Sequence, residues 1–304
     1  MEDRLPASSM PTLRQLQFLV ALRAERSFVG AAEAVGVTQP TLSAGIKDLE
    51  NALGAILVER GRTGAVLTPA GEEAAERAAR AISEVEELVR TVQAAGEPFS
   101  GTFRLGAIPT IAPFLLPRAL PLLKQKYPRL RLQMREDLTH RLVEALRART
   151  LDAALIALPY EAHGIATATI ADDEFLFLGP EDHPLAKRND LSPDQLRQDE
   201  LLLLEDGHCL REHALSACKL APSRRSSEVG ATSLHTLVQM VAGGMGVTLL
   251  PKIAAEAGAT AGAHVAMRPF AKPVVGRAIG VAWRDGGARA EEARMLAEVL
   301  RELF

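Results

Sequence analysis

From Thr102 to the C-terminus, short apolar runs alternate with longer segments of helical period. This alternation restricts the fold more than any other feature of the chain. Strands are expected at TFRLGAI (102–108), LRLQMRED (130–137), LDAALIAL (151–158), FLFLG (175–179), LLLLE (201–205), GVTLLP (246–251) and RAIGVAWR (277–284). Helices are expected from Ile111, Thr139, Ser233 and Gly287. Such a succession argues for an α/β domain with mostly parallel strands, because parallel neighbours need a crossover connection. The region contains no P-loop, no GxGxxG opening a helix and no GxSxG. These absences count against a nucleotide enzyme or a serine hydrolase, and no enzymatic activity and no cofactor are expected.

The first seventy residues follow another pattern. After a polar, proline-containing tail, Leu13, Leu16, Phe18, Leu19 and Leu22 form an apolar stripe at helical spacing. Ser27 opens a short second helix, FVGAAEAVGV, whose Ala31, Ala32 and Ala34 allow close packing. Thr38 caps a third, QPTLSAGIKDLENALG, with its apolar face at Leu42, Ile46, Leu49 and Leu53 and a stop at Gly54. Two short apolar pieces then flank Gly61-Arg62-Thr63-Gly64, which reads as a hairpin turn.

Three short helices and a hairpin make the outline of a winged helix-turn-helix. Its third helix would present Gln39, Thr41, Ser43 and Lys47 to a major groove, and its wing would carry Arg60 and Arg62. Charge gives no support, since residues 1–70 contain seven Lys/Arg and seven Asp/Glu. Pattern alone therefore leaves a plain helical bundle open beside DNA binding. Pro69 then opens a long helix to about residue 95. Ala74, Ala78, Ala81, Ile82, Val85, Leu88, Val89 and Val92 lie along one side of it, a seam suited to pairing with a second copy or to packing on its own domain. Gly96 to Gly101 reads as a hinge.

The chain of 304 residues is long enough for two or three domains. It lacks an N-terminal signal core and any apolar run near ~18 residues, so a cytoplasmic protein without membrane contact is expected. There, thiols are normally reduced.

Its two cysteines, Cys209 and Cys218, lie nine residues apart. The intervening LREHALSA contains good helix formers and no glycine or proline. Asp206 is the expected N-cap. Nine residues of helix separate the Cα atoms by ~13.5 Å, whereas a disulfide spans ~4.4–6.8 Å. The two cysteines can bond only if the helix unwinds. Cys209 falls in the first helical turn, where the dipole favours a thiolate, with His208 and Arg211 adding positive charge. On this reading Cys209 meets an oxidant first and Cys218 resolves the product. Two other readings stand: a pair of small buried hydrophobes, or a His208/Cys209/His213/Cys218 metal cluster, whose spacing fits no common zinc pattern.

Residues 12–71, from LRQLQFLVALRAERSFVGAAEAVGVTQPTLSAGIKDLENALGAILVER to LTPAG, resemble the DNA-binding domain of LysR-type transcriptional regulators. The resemblance assigns Thr38, Gln39, Pro40, Thr41, Ser43 and Lys47 to the recognition surface and Arg60 and Arg62 to the wing. It implies a winged helix-turn-helix at 10–68, a linker and dimerisation helix at 69–96, and an effector domain at 97–304. That last domain would be periplasmic-binding-protein-like, with subdomain I at about 101–174 plus 274–304 and subdomain II at about 175–273.

Within the family, GAIPTIAPFLLP, EDLTHRLVEALRARTLDAALIAL, LLLLEDGHCLREHALSAC and ATSLHTLVQMVAGGMGVTLLP resemble the hydrogen-peroxide-sensing, OxyR-like branch. This implies a peroxidatic Cys209, a resolving Cys218, and a peroxide pocket with Thr110, Thr139, His208, Arg211 and Arg277. Both threonines also fit helix N-caps. The stretch KLAPSRRSSEVG departs from the branch, with Arg224-Arg225 and with Glu228 where some members carry histidine. The implied partners are double-stranded operator DNA, hydrogen peroxide, further copies of the chain as a dimer of dimers, and RNA polymerase. The implied role is control of oxidative-stress genes as an activator. The rival readings are a LysR regulator that binds a small organic ligand between the subdomains, and a thiol peroxidase.

Overall fold

The computed structural model describes residues 10–61, 64–94, 98–196, 201–220 and 230–304. Arg62, the first two residues of the 96–101 hinge, and the divergent 221–229 segment with Arg224, Arg225 and Glu228 lie outside the described residues. The chain forms two compact units, Met1–Val92 and Gln93–Phe304.

The first unit begins with α1 (Leu13–Glu25), α2 (Phe28–Ala34) and α3 (Gln39–Leu53). Each is capped by the residue before it. Thr12 and Gln15 form a reciprocal capping box, Ser27 accepts from Gly30 N–H, and Thr38 accepts from Thr41 N–H. Phe18, Leu19, Leu22, Ala31, Leu42, Ile46 and Leu49 form the core, whereas Leu13, Ala34 and Leu53 are exposed. Gly45 is required where α1 meets α3, because a Cβ there would lie 2.5 Å from the Phe18 ring. The Glu50 carboxylate receives the Leu57 and Val58 N–H groups at 2.8 and 3.1 Å. It thereby ties α3 to the antiparallel hairpin β1 (Val58–Gly61) and β2 (Gly64–Leu67). α4 (Pro69–Ala94) buries Ala75 and Ala78 near its start and exposes Val85, Leu88, Val89 and Val92 further along.

The second unit is built on a seven-stranded sheet. Its strands are β3 (Gly101–Ala107), β4 (Leu130–Glu136), β5 (Ala153–Leu158), β6 (Ile165–Pro180), β9 (Thr248–Pro251), β10 (Val265–Pro269) and β11 (Gly276–Arg284). The order is β10-β6-β11-β5-β3-β4, with β9 also on β6. Every residue of β5 is buried, as expected of a strand covered on both faces. β6 is shared. Residues 165–174 pair with β11, and residues 175–180 pair with β9 and β10.

The expectation of mostly parallel strands needs correction. Only β3 runs parallel to its neighbours β4 and β5 in this sheet, and the remaining pairs are antiparallel. β11 arrives from far along the chain and inserts antiparallel between β5 and β6. Periodicity reveals a strand but not the direction in which a distant one is inserted. The helices α5 (Ala112–Lys126), α6 (Thr139–Arg147), α7 (Cys209–Ala217), α8 (Leu234–Ala242), α9 (Lys252–Glu256) and α10 (Ala290–Arg301) complete the unit, with a parallel pair β7 (Leu203–Leu204) and β8 (Gly230–Ala231). No described helix is long and apolar enough to cross a membrane.

Candidate functional site

Three strand ends feed three helix starts at one place. β3 leads through Ile108-Pro109-Thr110 into α5, β4 through Asp137-Leu138 into α6, and β7 through Glu205 to His208 into α7. Crevices at the carboxyl ends of strands are where α/β sheets bind ligands. None of these three helices has a side-chain hydrogen bond from its N-cap residue. At α5 the first N–H groups are already spent, since Ala112 and Phe114 donate to Ile108 O and Ile111 O and Pro113 has none, so the free dipole ends at this place are those of α6 and α7, whose field favours negative charge. Ile108, Pro109, Thr110, Leu138, Thr139, Gly207, His208 and Cys209 line the niche where the three helix starts meet, packed so closely that no water-sized space is left between them. Gly207 adopts φ +93°, and a Cβ there would approach the Leu138 Cδ1 to 3.1 Å; both constraints select glycine.

Several expectations about α7 change. Its N-cap is His208, not Asp206, and the His208 side chain makes no capping bond. Cys209 is the first helical residue and is half-buried, Cys218 is the C-cap and is buried, and both are free thiols. The Cys209 thiol lies above its ordinary value, not below it. Burial raises it and outweighs Arg277 and Thr139, which pull it down, while Glu212 adds to the rise. His208 supplies little positive charge at neutral pH, because burial lowers its pKa against the opposing pull of Glu205. Arg211 is absent from the niche lining. Its guanidinium donates to Leu204 O at 3.1 Å and pairs with Asp206 at 2.9 Å, fixing α7 to the loop before it. The Cys218 thiol is pushed up to about 12, first by burial and then by Asp194.

Neither threonine is an N-cap. Ile111 and Leu138 hold those positions. Thr110 is 2% exposed, and its hydroxyl accepts from Arg277 Nη1 at 2.8 Å while its carbonyl accepts from Nη2 at 2.9 Å. Because the hydroxyl oxygen is already accepting, its proton remains available to a guest. Thr139 Oγ1 is buried beside the Cys209 thiol, near enough to favour the thiolate, and finds no other hydrogen-bond partner among the described residues.

Arg277 stands behind the niche, held by a residue that sequence reading missed. Asp173 accepts from Arg277 Nε at 3.0 Å and, through its other oxygen, from Ile253 N–H at 3.0 Å. Side-chain exposure is 0% for Arg277 and 1% for Asp173. The only available signal was the acidic run Asp172-Asp173-Glu174, which does not tell which carboxylate turns inward.

On α3, Thr38, Gln39, Pro40, Thr41 and Lys47 are exposed and Ser43 is half-buried. The Thr38 and Thr41 hydroxyls share a 2.8 Å hydrogen bond. Arg60 belongs to β1, but its side chain lies outside the described residues, as does all of Arg62. No cluster of potential metal ligands occurs among the described residues.

Residues 13–72 match the bacterial regulatory helix-turn-helix family of LysR proteins, and residues 96–304 match the LysR substrate binding domain. A probable hydrogen peroxide-inducible genes activator of Streptomyces viridosporus is 42% identical over 293 residues, covering 96% of this chain and 94% of the relative. The HTH-type transcriptional regulator EstR of Acinetobacter baylyi is 42% identical over 247 residues, covering 81% and 82%. The structure of a full-length OxyR variant from Pseudomonas aeruginosa is similar, with a TM-score of 0.75 at 36% identity, covering 95% of this chain and 94% of that one.

Proposed function

Because the chain belongs to the LysR family of transcriptional regulators, and to its OxyR-like branch, we propose that it senses hydrogen peroxide at Cys209 and answers by changing how it holds operator DNA. The protein is a transcriptional regulator, not an enzyme. Identity alone does not select the signal, since EstR is as similar over its matched length as the Streptomyces activator. The observation that carries the peroxide reading is the buried Thr139 hydroxyl beside the Cys209 thiol, with no other partner among the described residues, where the starts of α5, α6 and α7 meet.

Peroxide needs a sulfur nucleophile at one oxygen and hydrogen-bond donors at the other, where hydroxide departs. Cys209 supplies the sulfur. Thr110, Thr139 and the first N–H groups of α6 and α7 supply donors without introducing a like charge. Arg277 supplies a fixed positive field, and His208 closes one wall. The sulfenic acid formed on Cys209 then condenses with Cys218. Nine residues of α7 hold those sulfurs too far apart, so the helix unwinds before they join. That unwinding is the conformational signal.

The signal passes to DNA through paired α4 helices, whose exposed Val85, Leu88, Val89 and Val92 form the contact between copies. The α3 surface of Thr38, Gln39, Pro40, Thr41, Ser43 and Lys47 reads the operator, with Arg60 and Arg62 on the flanking phosphates. A dimer of dimers spaces four such helices along the operator and presents RNA polymerase with a changed assembly that activates oxidative-stress genes. The domain plan is a DNA-reading domain at 10–68, the α4 linker at 69–96 and an effector domain at 97–304. Within that effector domain, subdomain I (101–174 plus 274–304) and subdomain II (175–273) exchange the chain near Phe175 and Pro273.

The test is transcription from the cognate promoter in cells exposed to peroxide. Cys209→Ser protein is expected to bind the operator and fail to respond. A full response in that variant would overturn the proposal and favour a small organic ligand between the subdomains.

A further inference from the structure

The Arg277 guanidinium is held on two sides. Its Nε donates to Asp173 Oδ2 at 3.0 Å, Nη1 donates to Thr110 Oγ1 at 2.8 Å, and Nη2 donates to Thr110 O at 2.9 Å. The group is planar, so a partner that fixes Nε also fixes the direction of the other two nitrogens. Asp173 therefore decides where Arg277 points, and Arg277 decides how the Thr110 hydroxyl is used. A hydroxyl oxygen that accepts from Nη1 turns its own proton elsewhere, and Thr110 lines the niche beside Cys209.

The position calls for a carboxylate. Asp173 is buried and meets donors from two different elements, Arg277 Nε from β11 at one oxygen and Ile253 N–H from α9 at the other. An amide has one acceptor oxygen and would set its own N–H against the second donor. A register shift brings this carboxylate inward. Gly280 faces Thr169, but Ile279 faces Ala171, so β6 carries one residue more than β11 at that point. Without the extra residue Asp172 would stand opposite Arg277. With it, Asp173 does, while Asp172 is left exposed and Glu174 half-buried. Bulges of this kind re-aim side chains beside functional sites.

We propose that Asp173 is a positioning residue for the oxidation of Cys209: by holding the Arg277 fork on Thr110, it aims the Thr110 O–H at the departing oxygen of hydrogen peroxide. Asp173 touches neither sulfur nor peroxide. In the step it serves, the Cys209 sulfur bonds to one peroxide oxygen and the O–O bond breaks. Its electron pair leaves on hydroxide, which receives the Thr110 hydrogen bond and ends as water with the proton the thiol gave up. Sulfur loses two electrons and peroxide gains them. This assignment rests on the peroxide reading above.

The experiment compares full-length wild type, Asp173→Asn, Arg277→Lys, Thr110→Val and the Asp173→Asn/Thr110→Val double variant at pH 7. Two rates are followed at Cys209. Oxidation by hydrogen peroxide needs a donor at the departing hydroxide, whereas alkylation by iodoacetamide needs only the thiolate. Asp173→Asn is expected to be oxidised about tenfold more slowly. It should be alkylated at least as fast as wild type, because losing a negative charge behind Arg277 does not disfavour a thiolate. Arg277→Lys keeps the buried charge opposite Asp173 but loses the fork, and should show the same split; it decides alone if Asp173→Asn does not fold. Once Thr110→Val has removed the hydroxyl, Asp173→Asn should cost less than about twofold more. Wild-type peroxide rates in a folded single variant would overturn the assignment. So would equal losses in both rates, or a full tenfold loss on top of Thr110→Val. Wild type that is alkylated but ignores peroxide would overturn the peroxide reading, and the assignment with it.

Discussion

Arg277 on β11 and Asp173 on β6 face each other directly in the sheet register, 104 residues apart in sequence, and form a 3.0 Å ion pair with both side chains out of solvent. The pair ties together β6, β11, α9 and the segment before α5, because Asp173 also holds the Ile253 N–H in the first turn of α9 and Arg277 also holds Thr110 before α5. Residue 174 is where β6 leaves β11, and 175 is where it takes up β9. The buried pair therefore sits at the changeover between the two parts of the sheet and fixes the guanidinium behind the niche.

Removing Asp173 leaves Arg277 as an uncompensated buried charge. Asp173→Ala is expected to destabilise the protein by about 3–5 kcal/mol, with Asp173→Asn costing less because one hydrogen-bond acceptor survives. Denaturant unfolding followed by circular dichroism measures both. A loss under about 1 kcal/mol for the alanine variant would contradict the role given to the pair.

Thr110→Val keeps the side-chain shape but removes an acceptor from Arg277 and a donor from the niche. Stability should fall by about 1–3 kcal/mol. The second-order rate of Cys209 oxidation by peroxide should fall about a hundredfold, the scale for one donor to a developing oxyanion. Stopped-flow measurement on the folded variant gives the rate, and an unchanged rate would remove Thr110 from the chemistry.

The buried thiol of Cys218 links stability to alkaline pH. Its folded pKa is about 12 against an ordinary 9.0, so the folded state prefers the protonated thiol. Stability from this group is complete below pH 9 and is lost as pH rises toward 12. Cys218→Ala should have a flatter stability profile across that window than wild type, measured by thermal unfolding in the presence of reductant. Parallel profiles would mean that the thiol ionises as freely folded as unfolded.

On the DNA side, Lys47 is exposed on α3. Lys47→Ala should weaken binding to all sequences and reduce the salt slope of log K by about 1, read by fluorescence anisotropy at several ionic strengths. Thr41→Ala, in contrast, should change the preference among operator bases. A Lys47→Ala slope equal to wild type would remove that lysine from phosphate contact.

The sequence made most strands and helices legible, because apolar period and caps such as Thr12, Ser27 and Thr38 are local signals. Thr110, Thr139, His208 and Cys209 are grouped in advance only by the family resemblance, while local pattern says no more than that the two threonines follow strands and precede helices. The role of Arg277 was a suspicion that the structure turned into a contact with Thr110. Asp173 was invisible, because its partner is set by the register of two strands far apart in the chain. The ionisation of Cys209 was misjudged for a related reason. Helix position can be read from sequence, but the desolvation that outweighs it comes from burial, which depends on what distant segments pack around the thiol. Arg211 shows the same limit: a cation next to the thiol in sequence spends its hydrogen bonds on Asp206 and Leu204.

The central claim is that Cys209 and Cys218 form a peroxide-driven switch that opens α7. The most direct test adds one equivalent of hydrogen peroxide to the reduced full-length protein at low temperature, then traps and maps the thiols by mass spectrometry. The account predicts loss of both thiols within seconds and a single Cys209–Cys218 disulfide peptide, with Cys218→Ser protein stopping at a trappable sulfenic acid on Cys209. Two unreacted thiols after that treatment would contradict it.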